Sequence, residues 1–123
     1  MGKTILIVED DPASQKLTRD LLSVAGYNTL QATDGEQGIE LAKANKPDLI
    51  LMDIMMPKID GYGACFALKS DETTKRIPII MLTAIGFDLN KTLAERLGAN
   101  GYITKPIDTN GLLNSVKSYV GTP

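Results

Sequence analysis

The stretch Ile5-Leu6-Ile7-Val8-Glu9-Asp10-Asp11-Pro12 runs four consecutive apolar residues straight into three carboxylates and a proline. Continuous apolarity in so short a run predicts a strand buried on both faces, as in the middle of a parallel sheet. Three adjacent like charges repel. The strand therefore ends either in a solvated acidic turn or at a place that holds something positive. Pro12 suits the first turn of a following helix, and Asp11 suits its N-cap. Glu9 and Asp10 are then left at the strand end, free for other work.

Four further apolar runs recur downstream, at 28–32, 48–52, 79–82 and 101–103. Those at 48–52 and 79–82 are as continuous as the first, whereas 28–32 and 101–103 are weaker and read as sheet edges. The stretches between them carry helical spacing. Leu17, Leu21, Val24 and Ala25 predict the inward stripe of a first helix over 12–25, and Gly26 sits where a left-handed cap belongs. A second helix is expected over 34–45, with Ile39 and Ala42 inward and Lys46-Pro47 as its stop. Ala64, Cys65 and Leu68 form the core stripe of a third, although Gly61 and Gly63 weaken its first turn. The fourth is expected over 88–97 before Gly98. Leu112, Leu113, Val116 and Val120 line the fifth, capped by Asp108 or Thr109. Strands alternating with helical crossovers predict right-handed βαβ units and an α/β fold with helices on both faces of the sheet.

At 123 residues the chain fits one domain, long enough to bury about two thirds of its unfolded surface. Lys plus Arg number 13 and Asp plus Glu 15, so the net charge of -2 lacks the basic footprint of a nucleic-acid binder. Direct nucleic-acid binding is not expected. The single cysteine, Cys65, excludes an internal disulfide framework and suits a reducing compartment. The absence of histidine excludes an imidazole base, His-ligated zinc and any phosphohistidine carried by this chain. No apolar run is long enough for a membrane span and no signal-peptide core follows Met1, so a soluble cytoplasmic protein is expected, without membrane insertion.

In open α/β sheets, ligands bind beyond the carboxyl ends of the strands. The residues there are Glu9-Asp10, Asp53, Thr83-Ala84 and Lys105-Pro106. If the first, third and fourth strands are adjacent, three carboxylates, a hydroxyl and an ammonium converge on one rim. An all-oxygen donor set suits a hard cation such as Mg²⁺, which keeps waters and completes its shell with a phosphate oxygen. A cation, a lysine and a hydroxyl around one carboxylate are what phosphoryl transfer to that carboxylate requires.

Four blocks carry a resemblance to a known family: Ile7-Val8-Glu9-Asp10-Asp11; Asp48-Leu49-Ile50-Leu51-Met52-Asp53-Ile54-Met55-Met56-Pro57-Lys58-Ile59-Asp60-Gly61; Leu82-Thr83-Ala84; and Gly98-Ala99-Asn100-Gly101-Tyr102-Ile103-Thr104-Lys105-Pro106. In this order and spacing the chain resembles a receiver domain of bacterial two-component response regulators, of the single-domain CheY-like type, over 3–120 with no output domain in the chain. The resemblance implies a flavodoxin-like, CheY-like fold with five parallel strands in the order 2-1-3-4-5 and five helices. It implies that Asp53 accepts a phosphoryl group. Glu9, Asp10, Asp53 and the backbone carbonyl of Met55 would hold Mg²⁺, while Thr83 and Lys105 would contact the phosphoryl oxygens. Tyr102 would change rotamer with Thr83 as the switch, and Pro106 is a cis-peptide candidate.

The same resemblance implies a sensor histidine kinase or histidine phosphotransfer protein as donor. It places the output surface on the fourth helix, fifth strand and fifth helix. The chain is then a signalling phosphoprotein that promotes its own phosphorylation and dephosphorylation, its product being a signal. Met55 and Ile85 are apolar where other receivers often carry polar residues, which is expected to hinder water and lengthen the life of the phosphoryl group. Met52, Met55 and Met56 are expected to be core and loop filling, and Phe66 a loosely packed aromatic. Two alternatives stay open. A haloacid-dehalogenase-like phosphatase also uses an aspartate nucleophile, but needs a second aspartate two residues on, where Met55 stands. A phosphorylation-independent adaptor would be expected to have lost Asp53 or Lys105.

Overall fold

In the computed structural model, which describes residues 2–56, 58–83, 91–105 and 107–123 and all of their side chains except that of Lys91, five strands form one parallel sheet in the order β2-β1-β3-β4-β5. They are β1 (Thr4–Val8), β2 (Asn28–Ala32), β3 (Leu49–Asp53), β4 (Ile79–Thr83) and β5 (Gly101–Thr104). The helices α1 (Pro12–Val24), α2 (Gly35–Asn45), α3 (Gly61–Ser70), α4 (Lys91–Arg96) and α5 (Thr109–Val120) alternate with them. The three central strands are the ones with continuous apolar runs, and the two weaker runs are the edges, as their patterns predict.

Alternate residues of each strand feed opposite faces of the sheet. Leu6, Val8, Ile50, Met52, Ile79 and Met81 pack with Ala42 of α2 and Ala64, Cys65 and Leu68 of α3. Ile5, Ile7, Leu49, Leu51, Ile80 and Leu82 pack with Leu22 of α1 and Leu112 and Val116 of α5. The sheet is therefore covered on both sides, and cutting any of these fully buried leucines to alanine would cost about 2–5 kcal/mol.

Most helix boundaries follow from capping. Asp11, Asp34, Asp60 and Asp108 each accept an N–H at the third helical position of α1, α2, α3 and α5. Lys46 adopts the left-handed conformation that ends α2 ahead of Pro47. The expected stripe of α1 needs correction. Val24 is 90% exposed and Leu17 is also exposed, while the core side is Thr18 and Leu22, flanked by Leu21 and Ala25. The buried residue that turns the helix is a threonine, which an apolar pattern passes over. Ala84, Ile85, Pro106 and the expected start of the fourth helix at Asp88 lie outside the described residues.

Candidate phosphoacceptor and metal site

Parallel pairing of β1 with β3 and of β3 with β4 brings the three acidic strand ends to one rim. The register Val8↔Met52 and Asp53↔Leu82 puts Glu9 and Asp10 just past the end of β1 beside Asp53 at the end of β3. One carboxylate oxygen each from Glu9, Asp10 and Asp53 lies within 4.8 Å of the others. Glu9 is only 2% exposed and Asp53 only 6%, whereas Asp10 faces solvent. Asp11 stands apart: its Oδ2 accepts the Ser14 N–H at 2.9 Å, and that bond holds its carboxyl below the usual range.

Lys105, just past the end of β5, reaches across the rim. Its Nζ donates to Glu9 Oε2 at 2.6 Å and lies 3.8 Å from Asp53 Oδ1. The backbone holds the lysine in place, because the Lys105 N–H donates to the Thr83 carbonyl at 2.7 Å. Thr83 ends β4, is 4% exposed, and its Oγ1 has no hydrogen-bond partner among the described residues. A buried hydroxyl costs stability when unsatisfied, so an unpartnered one at a charged rim marks a place for an outside acceptor.

Burial pushes the Asp53 carboxyl up to about 7, with the Glu9 charge as the next cause. Lys105 pulls the other way, and a hydrogen bond with Glu9 and the charge of Asp10 add to the rise. Desolvated carboxylates this close share a proton or bind a cation. With no His or Cys in the cluster, the donor set fits a hard divalent ion.

Two backbone features shape the floor of the site. The Gly61 N–H donates to the Ile54 carbonyl at 2.9 Å, drawing the start of α3 against the main chain next to Asp53. A Cβ on Gly61 would overlap the Asp53 carbonyl oxygen and sit 2.7 Å from Ile54 Cα. The two glycines that weaken α3 as a helix are thus partly explained: one of them has backbone where a side chain would go. On the other side, the Gln15 side-chain amide of α1 donates to the Glu9 carbonyl at 3.2 Å and to the Ala32 carbonyl at 2.9 Å. No sequence pattern pointed to Gln15.

The remaining expected residues fall around this centre. Met52 is fully buried and Met56 packs against the core, as filling residues do, whereas Met55 is exposed in the segment after β3. Tyr102 is half-exposed on the edge strand β5, and Phe66 projects from α3 into solvent. Among the described residues, no helix is long and apolar enough to cross a membrane.

Sequence comparison agrees with this geometry: residues 5–117 match the response regulator receiver domain model, and the chain belongs to that family. It is a receiver of the two-component class, with the CheY-like fold and strand order. Among its relatives is the polar-differentiation response regulator DivK of Brucella ovis, 38% identical over 121 residues that make up 98% of each chain. The DNA-binding dual master transcriptional regulator RpaA of Synechocystis is 45% identical over 114 residues, which cover 93% of this chain but 47% of that protein. The chain thus spans about half of that longer relative. The receiver domain of the sensor histidine kinase PA1611 from Pseudomonas aeruginosa, solved with a magnesium ion coordinated in its active-site cleft, superimposes with a TM-score of 0.90 at 33% identity, covering 99% of this chain and 100% of that one. Receivers of this family bind Mg²⁺ at an acidic pocket, and the cluster of Glu9, Asp10 and Asp53 fits such a pocket.

Proposed function

We propose that the unit spanning 3–120 takes a phosphoryl group from a phosphohistidine donor onto Asp53 and then switches conformation to control a partner. The observation that carries the reading is the surround of Asp53: a buried carboxylate with two others within 4.8 Å, the Lys105 ammonium at 3.8 Å and a Thr83 hydroxyl with no partner among the described residues. The attacking atom is an Asp53 carboxylate oxygen. It forms a bond to phosphorus as the bond to the donor breaks, and the donor nitrogen keeps that electron pair.

Glu9, Asp10 and Asp53, with the Met55 carbonyl, would hold Mg²⁺, which when bound offsets charge on the phosphoryl oxygens. Lys105 supplies a second positive charge at those oxygens, and the Thr83 hydroxyl donates a hydrogen bond to one of them. In the structure Lys105 pairs with Glu9, so its move toward the phosphoryl group exchanges a carboxylate partner for phosphoryl oxygens. The donor is a sensor histidine kinase or a histidine phosphotransfer protein, since the chain has no histidine. Thr83 closing on the phosphoryl group, with Tyr102 following, would shift the surface of α4, β5 and α5 that an output partner reads.

The chain's own chemistry is limited to forming and hydrolysing this acyl phosphate. A phosphatase of the haloacid-dehalogenase kind lacks its acid and base here, because Met55 stands where the second aspartate belongs. The test is incubation with Mg²⁺ and a small acyl phosphate, followed by intact mass. One phosphoryl adduct on the wild type and none on Asp53→Ala is expected. No adduct on the wild type would favour an adaptor, and sustained turnover of many phosphoesters would favour the phosphatase.

A further inference from the structure

We infer that Gln15 is a positioning residue for the Glu9 carboxylate, and that its side-chain amide sets the affinity of the acidic site for a divalent cation. This deepens the reading of Glu9 as a metal ligand and rests on it. The β1–β2 ladder ends at Val8↔Ala32. Beyond it the Glu9 N–H still donates to the Ala32 carbonyl at 3.0 Å, and the Glu9 carbonyl is taken up by Gln15 Nε2. The same amide also donates to the Ala32 carbonyl. One side chain of α1 therefore ties the start of the acidic turn after β1 to the end of β2.

The Gln15 main chain is itself held by the turn it braces, because its N–H donates to the Asp11 carbonyl at 2.9 Å. The far end of Glu9 is held by weaker or exchangeable partners. Oε1 accepts the Asp11 N–H at 3.3 Å, and Oε2 accepts from Lys105, which the phosphoryl group would draw away. Gln15 is thus the brace on Glu9 that stays while Lys105 changes partner. Groups that orient metal ligands commonly carry about tenfold or more in metal affinity. A brace of purely structural value would lower stability and leave affinity in the folded protein unchanged.

Gln15→Met keeps the length of the side chain and removes both donors. The experiment is a ¹⁵N NMR titration with MgCl₂ at constant ionic strength, on the wild type and on Gln15→Met. In the wild type, the Glu9 and Asp53 backbone amides and the Gln15 side-chain amide should shift together to one saturation point. In folded Gln15→Met the midpoint should rise about tenfold. An unchanged midpoint in that variant would overturn the inference and leave the metal reading standing. If Gln15→Met does not fold, the wild type decides: a Gln15 side-chain amide that fails to follow the Mg²⁺ titration also overturns it. No response at Asp53 in the wild type would overturn the metal reading, and this inference with it.

Discussion

Replacing Asp53 with asparagine should make the metal-free protein more stable, and increasingly so as pH rises from 5 toward 8. The folded carboxyl is raised from its ordinary 3.8 to about 7. Between those values the folded state keeps a proton that the unfolded chain has lost, so stability falls as pH rises through this window and levels off above about 7. Below 3.8 both states are protonated and the penalty is absent. The rise spans roughly three pH units, which at about 1.36 kcal/mol each sets a ceiling of about 4 kcal/mol. Solvent at the rim and dissolved salt screen part of this, leaving about 2 kcal/mol. Asparagine cannot ionise and escapes the penalty. Urea unfolding in chelator at several pH values, followed by circular dichroism, gives the difference between variant and wild type, in which the titration of every other group largely cancels. The difference should widen by about 1 kcal/mol between pH 5 and 8, the rest of the penalty being already present at pH 5. A difference independent of pH would refute the claim that Asp53 is desolvated and crowded by Glu9.

Lys105→Met should slow phosphorylation by a small phosphodonor by about 10²-fold or more, while Mg²⁺ binds more tightly because Glu9 loses its 2.6 Å cationic partner; rapid-quench mass spectrometry and a Mg²⁺ titration read the two effects, and weaker Mg²⁺ binding would contradict the placement of the lysine. Gly61→Ala should destabilise by about 1–3 kcal/mol and also slow phosphorylation, since its methyl group must displace the Asp53 main chain; a normal rate in a destabilised protein would confine the glycine to a folding role. Asp11→Ser should keep both stability and Mg²⁺-dependent phosphorylation, because serine caps as well as aspartate. Asp11→Ala should lower the thermal midpoint alone. Loss of phosphorylation in either Asp11 variant would mean that the third acid of the turn also serves the site.

The sheet was legible because apolar runs that end abruptly in Glu9, Asp53 and Thr83 carry both the strand and its polar rim in the same few residues. The caps at Asp11 and Asp108 were legible for a related reason, as an aspartate bonds an N–H only three residues away; the same role of Asp34 and Asp60 was not read from the sequence. The face of α1 was misread because Thr18 is buried there while Leu17 and Val24 point outward, so a purely apolar stripe gives the wrong rotation. Gln15 and Gly61 were invisible as site residues for a different reason. Each acts on backbone atoms brought near by the fold, in the case of Ala32 from 17 residues away, and no local spacing encodes such a contact. The preference of Lys105 for Glu9 over Asp53 likewise depends on distances of 2.6 and 3.8 Å that only the assembled rim sets.

The central claim is that the phosphoryl group is carried by the Asp53 carboxylate, and reductive trapping tests it most directly. Borohydride reduces an aspartyl phosphate to homoserine, and peptide mass mapping then locates the altered residue. After phosphorylation with Mg²⁺ and a small phosphodonor, homoserine is expected at position 53 and nowhere else. Trapping at Glu9 or Asp10, or a phosphoryl group on a hydroxyl that resists borohydride, would contradict the assignment of the nucleophile.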